Sequence, residues 1–328
     1  MAAVGGEPVR HIRDLAIMGF VEVAAHLPAV LGNISFCKRD IADFRPDVLI
    51  GIDYPGFNLR IERWAKRQGF RTVHFISPNL WAWKKGRIRG MRQSLDRLCY
   101  ILPFEEQFFS ENGMPQAVYV GHPLIDEVES GMWKVESGNS PLSIALLPGS
   151  RRQELKHNLP MMVHLAMHHP EYHFVVAGLS HLGSKLYDSL IPAGSNIEVV
   201  YDRTYPLLAS AYAAVVCSGT ATLETALFNV PQVVCYRANP ISIAIARTIV
   251  SRRIRYISLV NLIADSPIVT ELIQGDFNNS RLECEFRLIT TDDDNRERML
   301  DEYADMRTLL GDKGAIDRTA DVIMSLLI

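Results

Sequence analysis

Several features that mark other classes of protein are missing from this sequence of 328 residues. The five cysteines are odd in number and scattered, and no two form a C-x-x-C pair, so neither a disulfide framework nor a zinc site is indicated. No apolar run approaches the roughly 20 residues that span a bilayer, and no charged-then-apolar secretion signal is present. We therefore expect a protein of the reducing cytosol, either soluble or bound to a membrane surface.

Acidic residues are absent from two long stretches, although the whole chain has a net charge of −3. The overall charge argues against a general nucleic-acid binder, so no nucleic-acid partner is expected. The stretch from Ser77 to Leu95 contains these cationic and aromatic residues: Trp81, Trp83, Lys84, Lys85, Arg87, Arg89 and Arg92. The stretch between Glu224 and Asp265 interleaves arginines with isoleucine and valine. Both stretches are therefore candidates to bind an anionic surface or an anionic substrate.

The segment Ser143–Glu154, with the sequence SIALLPGSRRQE, predicts a strand, a phosphate-binding loop and a helix. The apolar run is short enough for a strand buried on both faces, and Gly149 allows a ligand to approach the backbone. We expect Ser150 to cap the helix, whose free N–H groups would attract an anion together with the Arg151 guanidinium. An ordinary strand-to-helix turn with a solvated arginine is the alternative.

A second segment repeats this pattern, because the strand sequence Ala214-Val-Val-Cys217 is followed by Ser218-Gly219-Thr220 and a helix. Glu224 lies about one turn into that helix, where its carboxylate could accept the hydroxyls of a ribose while the loop amides hold a diphosphate. A surface glutamate stabilised by the helix dipole is the alternative. The two segments together favour a nucleoside-diphosphate site.

Alternating strand and helix patterns extend along the chain and predict an α/β protein with two doubly wound, Rossmann-like domains that face a cleft. We expect domain boundaries at residues 1–138 and 139–328, joined by the polar segment from Trp133 to Ser140. The C-terminal helices from about residue 305 are candidates to pack back on the first domain. Asp53 ends the first predicted strand, which is where open α/β sheets place their ligands.

Eight ordered motifs resemble the lipid-A-disaccharide synthase family. They are GIDYPGFN (51–58), SPNLWAW (77–83), LPFE (102–105), GHPL (121–124), LLPGSR (146–151), SGTATLE (218–224), VCYR (234–237) and LVNLI (259–263). The resemblance covers nearly the whole chain from Gly5 and implies a GT-B type, inverting glycosyltransferase. Its expected substrates are UDP-diacylglucosamine and diacylglucosamine 1-phosphate, which yield the lipid A disaccharide and UDP.

The resemblance also implies a set of site residues. The donor-binding candidates are Gly149, Ser150, Arg151, Ser218, Gly219, Thr220, Glu224, Arg237 and Asn261. The candidates for contact with the acceptor or the membrane are Trp81, Trp83, Lys84, Lys85, Arg87, Arg89 and His122. No metal and no cofactor are expected, because the family needs none and no Asp-x-Asp suited to a magnesium diphosphate is found. Arg151 and the two helix N-termini would instead stabilise the leaving group.

Inversion requires a base on the acceptor hydroxyl, and Asp53 in the GID motif is the candidate, with helix capping as its alternative role. His122 is a weaker candidate for a ligand contact, since a histidine between a strand and a proline is more often a loop residue. His164, His168 and His169 include an i, i+4 pair that could hold a metal, but a solvated helix face is the simpler explanation. Cys99, Cys217 and Cys235 lie in apolar strands and are expected in the core.

One departure from the family concerns the N-terminal region. Family members begin with a strand, a Gly/Ser/Asp loop and a helix, whereas Met1 here aligns inside a later region, so we expect the first β-α-β unit to be absent. An inactive UDP-sugar-binding protein is therefore kept as one alternative. A UDP-sugar 2-epimerase is the other, because it shares the two-domain cleft and the ribose-binding glutamate. The family further implies a cytoplasmic location, peripheral on the inner face of the inner membrane. A homodimer is a candidate, but acyl-chain length and oligomeric state are left open.

Overall fold

The computed structural model describes residues 5–10, 27–83, 86–131, 133, 142–237 and 255–328. Among these residues, two parallel sheets are each flanked by helices, which confirms the predicted pair of α/β domains. Predicted features that fall on residues 11–26, 84–85, 134–141 and 238–254 lie outside the described residues. No helix within the described ranges is long and apolar enough to cross a membrane.

The first sheet has four parallel strands in the order β1-β2-β3-β4. These are β1 (Val48–Ile52), β2 (Arg71–Phe75), β3 (Arg97–Tyr100) and β4 (Ala117–Tyr119). The accompanying helices are α1 (Leu27–Phe44), α2 (Pro55–Arg67), α3 (Leu80–Trp83), α4 (Arg87–Ser94), α5 (Glu105–Glu111) and α6 (Pro123–Ser130). The two central strands, β2 and β3, are mostly buried, because helices cover them as expected for a parallel sheet.

The second sheet has six parallel strands in the order β10-β9-β8-β5-β6-β7. They are β5 (Ser143–Leu147), β6 (His173–Gly178), β7 (Ile197–Tyr201), β8 (Ala213–Cys217), β9 (Gln232–Tyr236) and β10 (Glu271–Ile273). The helices are α7 (Arg152–His168), α8 (Ser184–Asp188), α9 (Thr204–Ser210), α10 (Thr220–Leu227), α11 (Leu259–Ala264), α12 (Asn279–Thr290) and α13 (Asp293–Leu310), with a 3₁₀ turn at Ser180–Leu182. Counted from β5, this is the strand order 3-2-1-4-5-6 of a dinucleotide-binding fold.

The apolar runs of β5 and β8 place these strands at the centre of the second sheet. Every residue of β8 is buried, as are the last four residues of β5, since helices cover both faces. Cys217 and Cys235 lie in this core and Cys99 lies in the first one, which confirms the expectation for the three cysteines. The chain therefore needs no polar face on these strands, which explains their nearly continuous apolar sequences.

The C-terminal helix α14 (Ala315–Met324) contacts the first sheet. Val322 and Ile323 pack on the cluster around Val73, Phe75 and Cys99, while the Arg318 guanidinium donates to the Val120 carbonyl over 2.8 Å. The Tyr119 hydroxyl also donates to the carbonyl of Leu310 at the end of α13, over 2.8 Å. The end of the chain thus stabilises the fold of the first domain.

Candidate active site

The carboxyl ends of β5 and β8 meet where the order of the second sheet reverses. The two strands pair in parallel, and the chain then runs outward through β6 and β7 on one side and through β9 and β10 on the other. Doubly wound sheets bind ligands in the crevice at such a reversal. Both loops predicted to bind a diphosphate leave the sheet at this point.

A cavity of about 340 Å³ opens between these two loops, which is within the usual size range of small-molecule sites. Its lining includes seven of the predicted donor-side residues, namely Gly149, Ser150, Arg151, Ser218, Gly219, Thr220 and Glu224. Ala177 and Leu179 from the end of β6 and Thr204 from the start of α9 add to the wall. The sequence motifs therefore converge on one site.

The loop before α7 differs in one respect from the prediction. The helix begins at Arg152 with Arg151 as its N-cap residue, so the expected cap by Ser150 is wrong by one position. The Glu154 carboxylate turns back and accepts from the backbone N–H groups of Ser150 (2.9 Å) and Arg151 (3.1 Å). Its other oxygen accepts from Nη1 of Arg151 over 2.8 Å. Donors expected to face a diphosphate are bound to a carboxylate of the chain itself.

Gly149 is required by this arrangement, because its φ of +114° is unfavourable for other residues and its surroundings are crowded. A Cβ atom at this position would lie 2.6 Å from Cβ of Glu154 and 3.4 Å from Sγ of Cys217. The loop can therefore close around the glutamate only with glycine here.

A fully buried asparagine on α7 connects the ends of three central strands. The Asn158 amide nitrogen donates to the Pro148 carbonyl (3.3 Å) after β5 and to Sγ of Cys217 (3.2 Å) at the end of β8. Its oxygen accepts from the backbone N–H of Arg237 (3.0 Å) after β9. Since a buried amide without partners would be costly, this network fixes the position of both loops.

Glu224 faces the cavity from α10 and is held by a tyrosine. The Tyr205 hydroxyl donates to its Oε1 over 3.0 Å, and the Tyr205 ring packs edge-on against Trp133 and beside Phe228. Burial raises the pKa of the Glu224 carboxyl, an effect that the Tyr205 hydrogen bond partly offsets. The carboxylate is therefore oriented in advance as a hydrogen-bond acceptor inside the cavity.

The loop before α10 supplies the second helix N-terminus. The Ser218 hydroxyl donates to the carbonyl of Ile257 (3.0 Å), and the Thr222 hydroxyl donates to the carbonyl of Gly219 (2.8 Å). Gly219, Thr220 and Ala221 line the cavity between them. The first turn of α10 thus directs the positive end of the helix dipole into the same space as Arg151.

Two predicted donor-binding residues hold other parts of the protein. The Arg237 guanidinium donates to the carbonyls of Gln274 (3.4 Å) and Phe277. Asn261 is buried, and its amide pairs with both backbone groups of Val269 and with the Glu271 carboxylate. Neither residue lines the cavity, so their side chains act here in structural networks.

Asp53 follows β1 with a φ of +45°, a conformation that costs energy for a residue other than glycine. Its backbone N–H donates to the Phe75 carbonyl over 2.8 Å. The Asn58 amide donates to the carbonyls of Ile52 (3.0 Å) and Asp53 (2.7 Å), so a side chain of α2 fixes the turn after β1. The Asp53 residue itself is exposed at the ligand-binding edge of the first sheet.

His122 is buried at the start of α6 and acts as its N-cap. Nδ1 accepts from the backbone N–H of Leu124 over 3.2 Å, and burial lowers the pKa of the ring to about 4. The imidazole is therefore neutral at physiological pH. This arrangement favours the loop role over a ligand contact.

The aromatic and basic stretch of the first domain separates into two parts. Trp81 is partly buried and packs on the domain core with its ring edge-on to Phe104 at 5.1 Å. Arg87 is half-buried, and burial and the nearby Arg60 lower its pKa, whereas Arg89 is exposed. Trp83 ends α3, and the predicted residues Lys84 and Lys85 lie outside the described ranges.

The predicted helix face with histidines is solvated at His164 and His168, whose rings stack at 4.3 Å. His169 differs, because it is buried and each ring nitrogen lies 2.8 Å from a carboxylate oxygen, one of Glu171 and one of Glu283. Within the part of the chain that the structure describes, no three histidine, cysteine or acidic side chains are grouped to hold a metal ion.

The sequence patterns did not predict a role for three residues at the site, Glu154, Asn158 and Tyr205. Glu154 had a usable signal, because a glutamate three residues after a helix N-cap is the spacing of a capping box. Asn158 interrupts the apolar face of α7, which also marks it. Tyr205 had no local signal, since its contact with Glu224 joins two different helices.

Solved structures with this fold include two classes of enzyme. A glycotransferase of kitacinnamycin has a TM-score of 0.65 at 17% identity, with 99% of this chain and 88% of that chain covered. The UDP-GlcNAc 2-epimerase from Neisseria meningitidis has a TM-score of 0.64 at 14% identity, with coverages of 95% and 83%. At these identities the likeness shows the fold alone. It is the two-domain GT-B architecture of glycosyltransferases and nucleotide-sugar epimerases.

The sequence distinguishes between these classes. Residues 1–320 match the family model described as lipid-A-disaccharide synthetase. The lipid-A-disaccharide synthase of Acidobacterium capsulatum is 37% identical over 351 residues, which cover all of this chain and 87% of that protein. The chain therefore belongs to the lipid-A-disaccharide synthetase family, which confirms the prediction from the eight motifs. It is a glycosyltransferase, and the epimerase hypothesis is not favoured.

Proposed function

We propose that the protein transfers 2,3-diacylglucosamine from its UDP donor to the 6-hydroxyl of 2,3-diacylglucosamine 1-phosphate. The acceptor oxygen forms the new bond to the anomeric carbon while the bond from that carbon to the β-phosphate oxygen breaks. The hydroxyl proton passes to a base, and UDP leaves with the electron pair. Attack opposite the leaving group inverts the anomeric centre.

The donor half of this proposal rests on the cavity between the two strand–loop–helix units. Glu224 would accept the ribose hydroxyls, while the first turn of α10 and the Arg151 guanidinium would meet the charge that develops on the diphosphate. This convergence of a fixed carboxylate, an arginine and a helix N-terminus at the sheet reversal is the observation that carries the proposal.

The acceptor half assigns the role of base to Asp53. Its support is the position at the carboxyl end of β1, the exposed side chain, and a strained turn that α2 holds through Asn58. Strained backbone of this kind persists where the surroundings fix it and is common at active sites. A carboxylate in hydrogen-bond contact with the acceptor hydroxyl could remove its proton.

The proposed setting is the cytoplasmic face of the inner membrane, where the acylated substrates would be found. The cations of α2 and α4 support a contact with anionic headgroups, because they form a basic groove of about 400 Å³. Arg63, Lys66, Arg67 and Arg89 lie along it. A homodimer stays a prediction that rests on the sequence alone.

The test of the proposed function replaces Asp53 by Asn, which keeps the shape and removes the base. We expect a loss of transfer by at least about 100-fold, since general-base catalysis contributes roughly 10²–10⁴. The affinity for UDP should stay unchanged in calorimetry. The matched control is Asp47→Asn, the same change at an exposed position before β1.

Two outcomes would contradict the proposal. Normal turnover in Asp53→Asn would assign the base elsewhere. Failure of the parent protein to bind UDP would contradict the donor site itself.

A further inference from the structure

A carboxylate of the chain itself occupies the loop between β5 and α7. Glu154 accepts from two successive backbone amides, those of Ser150 and Arg151, and from the Arg151 side chain. These three donors surround one small anion, and Glu154, Ser150 and Arg151 all line the cavity between β5 and β8. A carboxylate and a phosphate compete for such donors because both are anionic acceptors of the same hydrogen-bond geometry.

This contact exceeds the requirement of a helix cap. In a capping box the glutamate at position N3 satisfies the N–H of the N-cap residue alone. Here the carboxylate also binds the amide of Ser150, which lies before the cap, and the guanidinium of Arg151. Glycine is the only residue type at position 149 that leaves room for the Glu154 carboxylate, since a Cβ there would lie 2.7 Å from Oε2 of Glu154. The whole loop is thus shaped around the glutamate.

We propose that Glu154 is an internal substitute for the diphosphate, which must leave the loop when UDP binds and returns when UDP departs. This inference rests on the proposed function, because it takes the cavity as the UDP site. Two anions cannot share the same amides, and bringing them together in a partly enclosed cavity adds repulsion. Binding of UDP therefore includes the cost of displacing Glu154.

The consequence for catalysis concerns product release. An internal anion weakens the binding of UDP and lowers the barrier to its departure, because the loop donors are never left without a partner. The uracil and ribose contacts lie outside this competition, so Glu154 should discriminate against the diphosphate part alone.

The experiment measures the binding of UDP and of uridine to the parent protein and to Glu154→Gln by calorimetry. Glutamine keeps the length and one acceptor oxygen but removes the charge. We expect the Kd for UDP to fall about tenfold, the size of one charge-assisted contact, and the Kd for uridine to stay unchanged. Product inhibition by UDP should become stronger by the same factor.

The matched control is Glu297→Gln, which makes the same change at an exposed position on α13 and should alter neither Kd. A second variant, Glu154→Asp, keeps the charge but is one methylene shorter and cannot reach all three donors. It should also tighten UDP binding, by a smaller factor.

The outcomes are distinguishable. Unchanged or weaker UDP binding in both Glu154 variants, with uridine unaffected, would overturn the inference and leave Glu154 as a cap of α7. If the parent bound neither UDP nor uridine, the donor site of the proposed function would be wrong instead.

Discussion

At the scale of single residues, the polar side chains of the donor motifs divide between structural networks and the cavity. Glu224 and Arg151 line it as expected, since each follows a strand whose direction fixes the position of the next loop. Arg237 and Asn261 belong to later motifs of the same set, yet their side chains pair with backbone groups that lie outside those motifs. Such partners depend on tertiary structure and cannot be derived from local spacing.

The Glu224 carboxylate leads to a prediction about donor binding. Glu224→Gln should raise the KM for the UDP donor roughly tenfold and leave kcat nearly unchanged, because a ribose contact is made equally in the ground state and the transition state. Tyr205→Phe should cause a smaller rise in KM, since it removes only the hydroxyl that orients the carboxylate. Steady-state kinetics with varied donor concentration would measure both.

A matched control for this change is Glu198→Gln, at an exposed position on β7. If kcat fell and KM stayed constant in Glu224→Gln, the ribose assignment would be wrong.

At the scale of helices and strands, the predicted elements agree with the structure wherever an apolar run was long enough. The strands predicted within Ser143–Glu154, at Ala214–Cys217 and before Asp53 are all present, as β5, β8 and β1. The edge strand β10 was missed, because Glu271–Ile273 has only three residues and begins with a glutamate. The Glu271 carboxylate accepts from the backbone N–H groups of Ile257 and Ser258, so it is fixed by long-range contacts.

The contact of α7 with α12 leads to a prediction about pH. His169 at the end of α7 lies between Glu171 and Glu283, and the protonated ring can donate to both carboxylates at once. Burial alone would lower the pKa of His169, but the two hydrogen bonds outweigh it and raise the pKa above its ordinary value. Arg287 binds the other oxygen of Glu283, and the rings of Tyr172 and Phe286 complete the surroundings.

Because the pKa is raised on folding, this contact stabilises the protein fully below the unfolded pKa near 6.5 and loses its effect as the pH rises through the folded value. His169→Gln should therefore lower the free energy of unfolding by about 1 kcal/mol at pH 6 and by less at pH 9. Urea unfolding at both pH values would measure this difference.

The control for His169→Gln is His173→Gln, at a more exposed histidine that lies 3.4 Å from Glu198. An equal loss of stability at pH 6 and pH 9 in His169→Gln would mean that packing, and not the charge, accounts for the effect.

At the scale of the whole molecule, charge is distributed unevenly over the first domain. Three exposed arginines, Arg63 and Arg67 on α2 and Arg89 on α4, lie along one groove, although the protein has a net charge of −3. The sequence indicated the part on α4 through its lack of acids. It did not indicate α2, whose cations are mixed with Glu62 in the sequence. Folding buries Glu62 against His74 and leaves the cations at the surface.

This separation of charge predicts salt-dependent binding to anionic membranes. Each Lys or Arg near an anionic leaflet contributes about 1 kcal/mol, so replacing Arg63, Arg67 and Arg89 by Gln should lower binding to phosphatidylglycerol vesicles by about 100-fold. The salt dependence should become flatter, because fewer charges remain to be screened. UDP binding should be unaffected, because none of these residues lines the cavity. Vesicle sedimentation at low and high salt would measure the first two effects, and calorimetry the third.

The matched control replaces three exposed arginines of the second domain, Arg281, Arg287 and Arg298, by Gln and therefore causes the same change in net charge. If both triple variants lost vesicle binding equally, net charge alone would explain the attraction. If neither lost it, the groove would not be the membrane contact, and the acid-free segment after Arg237 would be the next region to test. A loss confined to the groove variant would mean that the groove between α2 and α4 faces the bilayer.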